Sequence, residues 1–139
     1  MSDIDYAKKI LREGNYTCVL CKDDVVYTSE LCGVAPMLGY LNAGIDLKGF
    51  STADKVVGKA VALLFILAGV KEVYAEVISE SALKILSQSG IPVSYDTCTK
   101  GIMNRAGNDS CPFEKAVSSI EDPQIGFDKI KETLSAMKI

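Results

Sequence analysis

The chain contains no histidine. With no second C-x-x-C to compensate, that absence argues against a zinc site of the usual Cys/His kind. No zinc and no other cofactor is expected. Regularly spaced, evenly numbered cysteines are missing as well. The five present are Cys18, Cys21, Cys32, Cys98 and Cys111, an odd set that does not suggest a disulfide framework. Cys18 and Cys21 make a C-x-x-C, but "YTCVLCK" reads as a strand, where residues three apart point to opposite faces. Both read as buried free thiols. Positive charge is not in excess: 15 Lys and Arg face 18 Asp and Glu, for a formal net charge of -3. This argues against a nucleic-acid binder driven by electrostatics, while leaving room for a local basic pocket for a small anion. No apolar run is long enough for a membrane. The longest uncharged stretch, Ala60 to Val70, falls short of the ~20 residues a bilayer needs. The polar start "MSDIDYAKK" carries no secretory leader, so the expected compartment is the cytoplasm. Internal repeats, low-complexity tracts and linkers are also absent. The expectation is one domain over residues 1–139, with a globular composition that is 48% hydrophobic and 24% charged.

What is present reads as alternating elements. Ser2-x-x-Asp5 resembles a capping box, and Ile4, Ala7 and Leu11 follow at helical spacing up to Gly14. "YTCVLCK" and "VVYTSE" flank "KDD" as a hairpin. "VAPMLGYLNAG" reads as a short helix with Pro36 in its first turn. Ser51-x-x-Asp54 repeats the capping-box pattern and predicts a helix from about Thr52 to Ala68, stopped by Gly69. Its second half is apolar on all sides, so it should be covered on all sides. "KEVYAEVI", "SESALKILSQSG" and "IPVSYD" form a strand, a helix and a strand, a βαβ unit with parallel strands. "CPFEKAVSSI" reads as a short helix after a turn-rich loop. Asp122-Pro123 opens a last helix with Phe127, Ile130, Leu134 and Met137 on one face. The fold class is therefore α/β: three α/β/α layers around a mixed sheet, with an antiparallel N-terminal hairpin and a parallel βαβ.

Three polar clusters stand out at element ends. In "STADKVVGKAVALL", Asp54, Lys55 and Lys59 precede the apolar run, with Thr52 beside them. The segment is not a phosphate-binding loop, because Ala53 and Ala60 replace the required glycine and hydroxyl residue. A capped helix with snorkelling lysines is the plain alternative. In "SESA", Ser79, Glu80 and Ser81 lie between a strand and a helix, where ligands often bind in open sheets. Simple N-capping by Ser79 or Ser81 is the alternative. In "NRAGNDSCPFEK", Pro112 places Cys111 at a helix N-cap, where a thiol pKa can fall, with Glu114 three residues on, as in a capping box for the same helix. Asn104, Arg105 and Lys115 lie close by in sequence, and an inert cap is again the alternative.

The pieces "GVAPML", "ADKVVGKAVALL", "AGVKEVYAEVISESAL", "GIPVSYD" and "MNRAGNDSCPFEKAV" resemble the DUF1893, or TM1506-like, family of uncharacterised bacterial proteins across nearly the whole chain. The element order is similar to the cytidine-deaminase-like fold. The resemblance implies that two helix starts line one pocket. Zinc deaminases carry His-Ala-Glu and Pro-Cys-x-x-Cys at those starts. By element order this chain has Ala53-Asp54-Lys55 and Ser79-Glu80-Ser81-Ala82, so the metal ligands are missing. Two functions follow as expectations. One is a metal-independent enzyme acting on a nucleotide-like or anionic metabolite. Asp54 or Glu80 would serve as acid or base, Lys55 as the anion holder and Cys111 as nucleophile, with Thr52, Lys59, Ser79, Ser81, Asn104, Arg105 and Glu114 binding ligand. The other is a non-catalytic ligand-binding or regulatory module. The expected partner is a small molecule rather than a nucleic acid or membrane, and a homo-oligomer is compatible with either function.

Overall fold

Local sequence explains most of the elements. In the computed structural model, which describes residues 1–102 and 111–137, helix α1 (Asp3–Glu13) starts where the Ser2 hydroxyl accepts the Asp5 N–H. Strands β1 (Cys18–Lys22) and β2 (Val25–Ser29) form the expected antiparallel hairpin. Helix α2 (Ala35–Asn42) carries Pro36 in its first turn, where a missing N–H costs nothing.

The expected helix from Thr52 holds only in its second half. Residues Ser51–Val57 are strand β3, and helix α3 begins at Lys59 and runs to Ala68. The reason is tertiary. β3 sits at the middle of the sheet, antiparallel to β1 and parallel to strand β4 (Glu72–Ser79). Ser51, Thr52, Ala53 and Asp54 are all buried there. The polar side chains that mimic a capping box find other partners: the Ser51 hydroxyl donates to Glu72 Oε1 at 2.9 Å, and Asp54 Oδ1 accepts from the Val56 N–H at 3.3 Å. Strand pairing on both sides overrides a local cap signal.

The βαβ unit is as expected, with β4, helix α4 (Glu80–Gln88) and strand β5 (Val93–Thr99) giving parallel neighbours. The chain ends in helix α5 (Pro112–Ala116) and helix α6 (Pro123–Met137). The sheet order is β2-β1-β3-β4-β5. Helix α1 packs on one face through Ala7 and Leu11 against Val19, Cys21, Ala53 and Tyr74. The larger core fills the other face, where residues of α2, α3, α4 and α6 meet Leu20, Val57, Val73 and Ile78. Cys18 joins that larger core and Cys21 the α1 side, as their spacing predicts.

Helix α3 is the centre of the molecule. Ala60 through Phe65 are buried, as a helix without a polar stripe must be. It stops at Gly69, whose φ of 77° suits a residue without Cβ. Helix α6 approaches α3 closely at Gly126, where a Cβ would lie 2.8 Å from Leu63 Cδ1. On α6, Ile130 is buried and Phe127 and Leu134 pack on the core. Met137, at the end of the same face, is 55% exposed. Among the described residues, no helix is long and apolar enough to cross a membrane.

Candidate functional site

Because β3 and β4 run parallel, α3 and α4 both begin at the carboxyl end of the sheet. The start of α3 is built in an unusual way. Its N-cap is Gly58, which offers no side chain to the free N–H groups of the first turn. Glu114, from α5, supplies the missing acceptor. Its Oε1 accepts the Lys59 N–H at 2.7 Å, and its Oε2 accepts the Ala60 N–H at 2.8 Å. A carboxylate held by two N–H groups at a helix start is favoured by charge and by the helix dipole. Lys59 reinforces the junction, as its Nζ donates to the Ser118 carbonyl at 3.1 Å. The expectation that Glu114 caps its own helix is therefore corrected: it caps α3 instead. Cys111 does occupy the N-cap of α5, but its side chain makes no capping bond.

Beside this junction lies a cavity of about 820 Å³. One wall is Cys111, Pro112, Phe113 and Glu114, and another is Cys32, Gly33, Val34 and Ala35. Val56, Gly58, Ala60 and Val61 line it from β3 and α3, and Leu134 and Met137 from α6. The volume suits a small molecule, and the lining is mostly apolar with two thiols and one carboxylate. Sequence reasoning anticipated Cys111 and Glu114 but missed Cys32, Val56 and Gly58. The signal available for Gly58 was its place two residues before the apolar run that begins at Ala60.

The other expected site residues that are described do not line this cavity. Thr52 lies on β3 opposite Leu20 and Val73, fully buried, and its hydroxyl has no hydrogen-bond partner. Asp54 is also in the strand, not at a helix start. It faces Cys18 across the β1/β3 pair and is 6% exposed. Burial pushes its pKa up to about 8, against the pull of the Val56 N–H and the Cys18 thiol. Burial likewise raises Cys18 well above the ordinary thiol value, with the Asp54 charge adding to it. Lys55 is half-buried on the same strand, and its backbone N–H donates to the Thr17 carbonyl. Ser79 caps α4 by accepting the Ala82 N–H at 3.2 Å, and its hydroxyl also meets that of Ser81. Glu80 and Ser81 are exposed. Asn104 and Arg105 lie outside the described residues. The expectation that Ala53-Asp54-Lys55 begins a helix is thus corrected: these residues belong to β3, and α3 starts at Gly58, Lys59 and Ala60.

The family described as "TM1506: Domain of unknown function (DUF1893)" matches residues 6–134. The chain belongs to the DUF1893 family. A crystal structure of a DUF1893 family protein, TM1506 from Thermotoga maritima, is similar at 30% identity with a TM-score of 0.83, covering 96% of this chain and 89% of that one. The apo dCMP deaminase of cyanophage S-TIM5 is similar at 14% identity with a TM-score of 0.45, covering 67% of this chain and 93% of that one. No curated protein matches the chain in sequence. In this DUF1893 protein, the first helix start carries the Glu114 carboxylate on the Lys59 and Ala60 N–H groups, and the second carries Ser79, Glu80 and Ser81. Among the described residues, no group of three or more His, Cys, Asp or Glu side chains is placed to hold a metal.

Proposed function

We propose that this DUF1893 protein is a ligand-binding module whose site is the cavity between α2, α3, α5 and α6, and that its ligand is a small molecule with a largely apolar body. The observation that carries this reading is the cavity itself: about 820 Å³, mostly apolar, with the Glu114 carboxylate at one side. Sites for small molecules commonly combine an apolar lining with a few polar groups that fix orientation. Glu114 and the two cavity thiols fill that second role. Among the described residues, the one charged group on the lining is the Glu114 carboxylate, which favours a neutral or cationic ligand over an anionic one. The ligand expected is therefore neutral or cationic rather than phosphorylated.

A second reading has one observation in its favour. Cys111 and Glu114 line the same cavity, so a thiol nucleophile and a carboxyl acid or base share one space. That would make the protein a metal-independent enzyme. Asp54, Lys55 and Glu80 are not on the lining and take no part in either reading.

Thermal-shift screening with small neutral and cationic compounds tests the proposal. A ligand present at a hundredfold over its Kd stabilises the native state by about 2.7 kcal/mol. Val56 is 41% exposed on the cavity wall, so Val56→Trp fills the space with little effect on the core. The expected result is a shift with wild type that Val56→Trp removes. A shift that survives Val56→Trp, or no shift across a diverse library, counts against the cavity. Recovery of the compound unchanged supports the module, and its chemical conversion supports the enzyme.

A further inference from the structure

Strand β5 closes the sheet on the far side of β4, and no described residue pairs with its outer side. The direction of its backbone groups is fixed. The Val73 N–H donates to the Pro92 carbonyl at 3.0 Å, so Pro92 turns its backbone toward β4. That direction alternates along a strand. Val93, Tyr95 and Thr97 therefore turn their N–H and C=O groups away from the sheet. The register with β4 is constant from Val73 opposite Val93 to Ser79 opposite Thr99, so no bulge interrupts the outer row. The strand, "VSYDTCT", has no lysine and no proline. Edges are commonly blunted by such devices or covered by another element, and a long edge without them is open to pairing. Covering is absent among the described residues too: Ser94 through Cys98 are exposed, Tyr95 at 44%.

This edge is complementary to itself. Two copies related by a two-fold axis perpendicular to the sheet would pair β5 with β5 antiparallel, the axis falling at one residue. An axis at Asp96 gives the longest overlap, but it sets the two Asp96 carboxylates against each other in the close position, with Cα atoms about 4.5 Å apart. An axis at Thr97 sets Asp96 opposite Cys98, whose thiol is a weak donor. An axis at Tyr95 satisfies every group it brings together. Tyr95 exchanges both backbone bonds with its counterpart, and Val93 does so with Thr97. Val93 packs on the larger core, so Tyr95 and Thr97 share its face. There Tyr95 meets Tyr95, and Val93 meets Thr97. On the opposite face Asp96 meets the Ser94 hydroxyl, a donor. Asp96 is already positioned for it: the Tyr74 hydroxyl donates to Oδ2 at 2.6 Å, and Arg12 lies 3.8 Å from Oδ1. The other edge, β2, is shorter, and an axis at its middle residue Tyr27 would set Asp24 against Glu30.

We propose that two copies of this chain pair edge to edge through β5, antiparallel about a two-fold axis at Tyr95, so that one sheet runs through both. The interface is isologous and closed, because each copy has used its only β5 edge once the pair has formed. Asp96 sets the register, since it excludes the longer overlap and is satisfied in the shifted one. The pairing is independent of the cavity.

Analytical ultracentrifugation of the full-length protein across a dilution series reads the mass. Wild type should be a dimer that falls to half that mass on dilution. Thr97→Pro deletes an N–H that points outward and so spares the pairing with β4. Tyr95→Lys places like charges on the axis at an exposed position. Each should halve the mass at concentrations where wild type is dimeric, with circular dichroism unchanged. If Thr97→Pro does not fold, Tyr95→Lys carries the test alone. Oxidation of Tyr95→Cys should link two copies through residue 95, located by mass spectrometry. In wild type, exchange of the Tyr95 and Thr97 amides should slow on the order of tenfold or more from monomer to dimer. A wild type that is monomeric at every concentration overturns the proposal, and slow Tyr95 and Thr97 amides in that monomer would mean that the same chain covers the edge. A dimer that persists in folded Tyr95→Lys uses another surface and overturns it as well, as does assembly beyond two copies.

Discussion

Asp54 is the residue whose environment departs furthest from what its sequence context suggests. Its neighbours in sequence look like a helix start, yet it is an acid enclosed in a sheet, with a pKa pushed up to about 8 by burial. The consequence for stability has a definite sign. Below about pH 4 the group is protonated in the folded and the unfolded chain, and it makes no difference. Between about pH 4 and pH 8 the unfolded chain releases a proton that the folded chain keeps, so stability falls as pH rises. Above about pH 8 the penalty is complete. Asp54→Asn removes the titration while keeping an acceptor for the Val56 N–H and a group to face Cys18. Denaturant melts should show the variant gaining on wild type across that window and levelling off above it, by on the order of a few kcal/mol. A stability difference that is flat with pH would mean Asp54 is hydrated. Thr52 gives a simpler case. Its buried hydroxyl has no partner, so Thr52→Val, which keeps the shape, should be neutral or stabilising by up to about 1 kcal/mol in the same melts. Neither role was legible in sequence. A serine, a threonine and an acid before an apolar run carry the same letters whether they cap a helix or are paired within a sheet.

At the level of elements, the sequence was informative wherever local chemistry decides. The α1 cap, the hairpin, Pro36 in α2, the βαβ unit and the start of α6 at Pro123 all came from periodicity and caps, and the structure has each of them. What failed was β3, whose place between β1 and β4 is a non-local fact. The site shared that fate. Glu114 and Cys111 were visible as helix-start residues, but the partner of Glu114 lies 55 residues away at Lys59, and no local rule connects them. Gly126 makes the same point from the side of packing. In α6 it looks like a weak spot, since glycine lowers helix propensity by about 1 kcal/mol relative to alanine. It is instead the contact point with Leu63 of α3. Gly126→Val should therefore destabilise the protein by about 2 kcal/mol, because overpacking outweighs the gain in propensity. Urea denaturation checks this, and a neutral or stabilising result would show that α6 can slide on α3 freely.

For the whole molecule, the layering concentrates stability in one place. Helix α3 is covered by the sheet below and by α2, α4 and α6 around it, and β1, β3 and β4 carry the fully buried strand residues. At the margins the picture reverses. β5 is an edge strand with Ser94 through Cys98 exposed, and α5 buries no residue fully. Amide exchange under native conditions should therefore be slowest in α3, β3 and β4, at rates set by global unfolding. It should be intermediate in β5, which pairs on one side only within one copy, and fast in residues 113–116. In Gly58→Ala, where the added Cβ would sit 2.6 Å from Glu114 Cδ, exchange at 113–116 should quicken further while α3 beyond its first turn stays as slow as in wild type. If residues 113–116 are as protected as α3, the segment belongs to the rigid core, and the Glu114 cap holds it there as firmly as burial would.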